Sequence, residues 1–152
     1  MDYRSRRELD RLLGDLDHDR QQDRQLDRKE RIREAGHAFR FESAKRDLLK
    51  PAVRGLMARL EQHGHATRLI EPKPTKMRVE VLLHGARPVR GILDVELGDT
   101  GEVHFRARRE GTTVGERALA VESLNERSVN GTLVELLRAL TEPPPVTTPA
   151  RP

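Results

Sequence analysis

Gly64 separates two periodicities that demand different kinds of backbone. Before it, Phe41, Ala44, Leu48, Leu49, Ala52, Val53, Leu56, Met57 and Leu60 recur at the three- and four-residue spacing of one helix face. After it, Met77, Val79, Val81 and Leu83 alternate with Arg78, Glu80 and Leu82, the two-residue period of a strand with one buried face. Gly64 itself stands where a helix commonly ends on a left-handed residue. A helix followed by a run of strands specifies an α+β fold.

The strands are expected to form an antiparallel meander of four or five. Thr67 to Glu71 reads as a short first strand closed by Pro72, Lys73 and Pro74. Leu93, Val95 and Leu97 mark a third strand, and Val103, Phe105 and Ala107 a fourth. Between these two, Asp99, Thr100 and Gly101 suit a three-residue hairpin loop with glycine in the left-handed position. That loop fixes the register: Leu97 opposite Val103 and Val95 opposite Phe105 inside, Asp94 opposite Arg106 and Glu96 opposite His104 outside. A fifth strand is expected near Thr113 to Val121, where Gly115 and the run Ala118, Leu119, Ala120 blur the alternation.

Two helices should pack on this sheet. In the first, Pro51 lacks an amide hydrogen and disfavours helical geometry in its predecessor, which predicts a kink or a new helix starting near Lys50. The second carries Val129, Leu133, Leu136, Leu137 and Leu140 on one stripe, with Ser123 and Glu126 in capping-box spacing before it and Gly131 as a weak point.

Outside this α+β domain, expected over 36–141, apolar material runs out. Charged residues make up 36% of the 152-residue chain and hydrophobic ones 35%, at a mean hydropathy of -0.75, enough for a small core but not for a chain buried throughout. Residues 1–35 read as a charged helical or partly disordered arm. It carries one narrow stripe of Leu9, Leu12, Leu13 and Leu16, spaced i, i+3, i+4, i+7. Continuing that heptad places Asp19 and Asp23 at the next core positions before Leu26, so a sustained coiled coil is not specified. Residues 142–152, with five prolines, read as a disordered tail.

The net charge of +4 and pI near 9.9 raise the question of nucleic acid. Residues 1–50 hold 14 basic against 12 acidic side chains and the remainder 15 against 13, so no basic arm exists. The basic residues are 24 Arg and 5 Lys, a bias that suits bidentate pairing with carboxylates and that a GC-rich coding sequence also produces. The local candidate is the outer face of the fourth strand, where Arg106 and Arg108 stand with His104, next to Arg109 and with Arg78 and Arg90 nearby. Asp94 and Glu96 oppose those cations in the expected register, and sheet-type single-strand readers stack bases on exposed aromatics, whereas Phe105 is expected inside. Structural ion pairing is therefore favoured on this face.

Chemistry is sparse. The Gly-x-Ser-x-Gly elbow, the phosphate-binding loop, the His-Glu-x-x-His pair and the dinucleotide glycine set are all absent from the sequence, and no catalytic residue is expected. His63, His65, His84 and His104 have no spacing that forces three or four ligands together, so no metal and no cofactor is expected. With no cysteine, an N-terminus charged from its second residue, and no apolar run longer than Ala118–Val121, the expectation is a cytoplasmic protein with no membrane contact. What remains is a non-enzymatic adaptor or assembly protein that uses Leu9, Leu12, Leu13 and Leu16 to reach a protein partner or another copy of itself; the alternative is a nucleic-acid-associated protein using Arg106, Arg108 and Arg109.

Overall fold

The structure, a computed structural model, describes residues 2–142; the proline-rich segment expected to form a disordered tail lies outside them from residue 143 on. The chain is α+β and divides into two compact units, Met1–Gly36 and His37–Pro152. Helix α1 (Tyr3–Ala44) supplies all the regular structure of the first unit and the first turns of the second. Its start is capped by Asp2, whose Oδ1 accepts from the Ser5 amide at 2.7 Å. The stretch 17–31 is helical throughout, with every residue exposed.

In the second unit α1 runs into a π-helical turn, Lys45–Leu49, and then α2 (Lys50–Gln62). The chain does not break at Pro51. A normal helical turn would press the proline ring onto the Asp47 carbonyl and leave that carbonyl without its donor. One wider turn absorbs the conflict: the Lys50 amide donates to the Lys45 carbonyl five residues back, while Leu49 and Lys50 keep helical backbone angles. The wide turn also resets the side-chain phase, so that Phe41, Lys45, Leu49 and Val53 are all buried at four-residue intervals. Lys45 was not among the expected core positions; Ala44 and Leu48, which were, are only half-buried. Gly64 closes the helical part at φ +85°.

Five strands follow, β1 (Ala66–Lys73), β2 (Lys76–Leu83), β3 (Val89–Leu97), β4 (Glu102–Arg109) and β5 (Thr112–Ala120), each antiparallel to the next in the order β1-β2-β3-β4-β5. The β3–β4 register is the one the hairpin chemistry demands, with Leu97 opposite Val103, Val95 opposite Phe105, Asp94 opposite Arg106 and Glu96 opposite His104. Gly101 has φ +80°, and a Cβ there would lie 2.6 Å from the His37 ring. The blurred pattern of β5 has a cause: the pairing jumps from Ala107–Gly115 to Arg108–Thr113, leaving Val114 as the extra residue of a bulge.

Helix α3 (Glu126–Thr141) is capped two residues later than the expected Ser123. Val121–Ser123 forms a 3-10 turn instead, and Asn125 takes the cap: its Oδ1 accepts from the Ser128 amide at 2.8 Å, and the Ser128 hydroxyl accepts from the Asn125 amide at 3.0 Å. α2 and α3 lie on the same sheet face and run in the same direction. Both begin at the end carrying the 74–75 and 99–101 turns, where Lys45 reaches the Pro74 carbonyl and the Val121 amide donates to Gly101. Both finish at the other end, where the His84 amide donates to His65 and the Leu140 methyls lie within 2.9 Å of where a Gly91 Cβ would be. Between helices and sheet is one core of Phe41, Leu49, Val53 and Leu60, the inward residues of β2, β3 and β4, and Val129, Leu133, Leu136 and Leu140.

Candidate interaction surfaces

The leucine stripe of α1 is intact and open. Leu9, Leu12, Leu13 and Leu16 are 42% to 59% exposed, against the few per cent typical of the core leucines. At 100° per residue the four fall within about a third of the helix circumference, a face narrow enough to enter a groove and too short to sustain a coiled coil. Leu26 and Ile32 are also exposed, the latter on the opposite side, and Asp19 and Asp23 interrupt the stripe where its next members would stand. Phe39, at the start of the second unit, is 73% exposed and was not foreseen, because a single aromatic among charges has no periodicity to betray it.

The arginines of β4 divide among three different duties. Asp94, on the outer sheet face, was expected to sit exposed opposite Arg106. It is buried, because two guanidinium groups close over it: Arg78 Nε donates to Oδ1 and Arg108 Nη2 to Oδ2, both at 2.8 Å. The hydrogen bond to Asp94 holds the Arg78 guanidinium above its ordinary pKa. Arg106 turns the other way and meets Glu116 of β5 at 3.1 Å. Glu96 likewise pairs with Lys76 at 3.7 Å rather than with His104. Each inner strand has two neighbours: Arg106, Glu96 and Asp94 each pair directly across the other one, with Glu116, Lys76 and Arg78, and only Arg108 reaches Asp94 on the diagonal.

Arg109 does not belong to that face. Its Nη1 donates to the Leu140 carbonyl at 3.0 Å and to the Glu142 carbonyl, so it satisfies the open C-terminal carbonyls of α3 on the helix side of the sheet. The three arginines of the nucleic-acid alternative are thus not brought together. A concavity of about 540 Å³ does open on the outer face, floored by Leu82 and Ile92, with Arg68, Arg90 and Arg108 on its walls beside Glu80 and Glu110. Its mixed charge gives no continuous track for a phosphate backbone.

A second concavity, about 580 Å³, lies between α2 and α3 on the side away from the sheet. Pro51, Ala52 and Gly55 form one wall, Leu133 and Val134 the other, with Asp47 and Glu126 at its start and Arg59 at its far end. No sequence signal announced it, since apart from the core residue Leu133 its lining comes from the flanks of two stripes whose centres face the sheet.

Among the described residues no group of three or more His, Asp and Glu side chains is placed to hold a metal ion. His65 has a structural partner, its Nδ1 accepting from the His84 amide at 3.0 Å. No helix of the described residues is long and apolar enough to cross a membrane. Comparison of the chain with protein-family models, curated proteins and solved structures finds no match.

Proposed function

We propose that this protein is a non-enzymatic adaptor or assembly factor of the cytoplasm, acting through protein–protein contacts of its helical arm and its α+β domain. The observation that carries this reading is the exposure of Leu9, Leu12, Leu13 and Leu16 along one face of α1. A solvated helix gains only about 0.2 to 0.5 kcal/mol from each aligned leucine pair, whereas each of these half-exposed leucines forgoes roughly half of the ~1.5 to 3 kcal/mol that full burial supplies. The cysteine-free composition suits a reducing compartment. Binding of nucleic acid through β4 is disfavoured because Arg108 is committed to Asp94, Arg106 to Glu116 and Arg109 to the end of α3.

The test is affinity capture with the full chain and with a Leu12→Asp/Leu16→Asp variant that keeps the length and solubility of the arm. Loss of every wild-type contact, including self-contact, in the variant supports the reading; equal capture by both proteins removes the stripe from it.

A further inference from the structure

We propose that the arm's partner is a second copy of the same chain, whose α2–α3 groove receives the leucine stripe. The inference rests on the reading of the stripe as a protein-binding element and adds what it binds. Three observations carry it. Both surfaces stand open: the four leucines are at least 42% exposed, and Val134 on the groove wall is 53% exposed. The dimensions agree. The seven steps from Leu9 to Leu16 span about 10.5 Å of helix, and the eight from Pro51 to Arg59 along the α2 wall span about 12 Å.

The charges agree as well, and they give a direction. Before the stripe Arg4, Arg6 and Arg7 outnumber Asp2 and Glu8; after it Asp17 and Asp19 outnumber Arg20. The groove has the opposite order, with Glu126 and Asp47 at its start, Asp47 already paired to Arg46, and Arg59 at its end. An arm laid parallel to α2 therefore brings its basic end to the acidic end of the groove and its acidic end to Arg59. Gly55 fits this seat: a Cβ there would touch nothing, so no packing within the chain asks for glycine, a poor helix former, whereas an incoming helix would come close at that point.

Stripe and groove are different surfaces, so the contact is heterologous. Reciprocated across a two-fold axis it closes as an arm-exchanged dimer; otherwise it propagates. In either case the particle is at least twice the 17.4 kDa chain.

Because the chain has no cysteine, the contact can be trapped without background. Full-length Leu13→Cys and Gly55→Cys proteins, differently tagged, are mixed under mild oxidation, with Arg87→Cys on an exposed loop as the control; light scattering is measured on the wild type, Val134→Asp and Leu12→Asp/Leu16→Asp in parallel. The expected result is a mixed disulfide at least tenfold more abundant for the 13–55 pair than for 13–87, a wild-type mass at least double that of one chain, and the single-chain mass for both Asp variants. A wild type of single-chain mass overturns the proposal, as does a 13–55 mixed disulfide no more abundant than the 13–87 control. If the leucine variant dissociates while Val134→Asp stays assembled and no 13–55 disulfide forms, the groove is wrong and the stripe remains a contact. If neither variant changes the mass, self-contact through the stripe is lost with it.

Discussion

Lys45, on the π-helical turn, points its ammonium group into the interface between helix and sheet and donates to the carbonyl of Pro74 at 2.9 Å. It is 4% exposed. Glu42 lies 3.1 Å away and Glu71 4.0 Å, so the charge is compensated from two elements. One side chain thus ties the helix to the β1–β2 turn.

Truncating that tie should be costly. Lys45→Ala leaves the Pro74 carbonyl without its donor and opens a void, and should lower the unfolding free energy in urea by about 2 kcal/mol. Lys45→Met removes the same donor and the charge but keeps the stem and opens no void, so its loss should be smaller, within about 1 kcal/mol of wild type. Equal losses in the two variants would mean that the lost hydrogen bond and charge, not the packing of the stem, account for the effect.

Acid should weaken the fold partly through Glu71. Its carboxyl is held below the usual carboxylate range, first by the hydrogen bond from Lys50 at 2.7 Å. A carboxyl with a lower pKa folded than unfolded binds fewer protons when folded. The stability it contributes is therefore complete above the unfolded value, near 4.5, and is lost as pH falls through the folded one. Glu71→Gln should show a shallower fall in melting temperature below pH about 4.5 than the wild type, with little difference in slope between pH 6 and 8.

At the hairpin, Gly101→Val forces a β-branched residue to positive φ and drives its Cβ toward the His37 ring. A loss of ~1 kcal/mol or more is expected by thermal denaturation. The double variant with His37→Ala should recover only part of it, because removing the ring relieves the contact but not the backbone. An unchanged melting temperature in the single variant would refute the turn.

For β4 the expected outcome is asymmetric. Arg106→Ala, at an exposed pair, should change stability by less than about 0.5 kcal/mol; Arg108→Ala leaves the buried Asp94 carboxylate with Arg78 alone and should lose about 2 kcal/mol. Neither protein should be retained by short nucleic acid beyond the negligible wild-type level. Salt-sensitive retention of the wild type that both changes abolish would restore the cationic face as a binding surface.

Removing residues 1–31 should leave a cooperatively unfolding domain, since every buried residue from Phe41 to Leu140 remains. A truncated chain that aggregates without a sharp transition in calorimetry would make the arm part of the core.

Much of this architecture was legible in the sequence because it is written in period and punctuation. The two-residue alternation from Met77 to Leu83 and the Asp99-Thr100-Gly101 loop carried the sheet and its register, and Val129 to Leu140 carried the last helix. What stayed hidden depended on contacts between distant residues. A lysine reads as surface until one knows that the Pro74 carbonyl waits for it, and Asn125 outcompetes Ser123 as a cap only once Val121–Ser123 has turned. Arg109 read as part of a cationic strand face because its target carbonyls are more than thirty positions away. The leucine stripe was plain from spacing, while the α2–α3 groove, assembled from residues at the margins of two stripes, has no signature in either helix alone.

The meander order has a kinetic consequence. Every strand pairs with its neighbour in sequence across a short connection, so each hairpin closes a small loop and little chain entropy is lost before contacts compensate for it. The exception is the docking of Phe41–Leu60 beside Val129–Leu140, which joins the two ends of the domain over the finished sheet. Folding should accordingly take on the order of milliseconds, with substitutions in the β3–β4 hairpin slowing the forward rate and substitutions such as Leu140→Ala acting mainly by hastening unfolding.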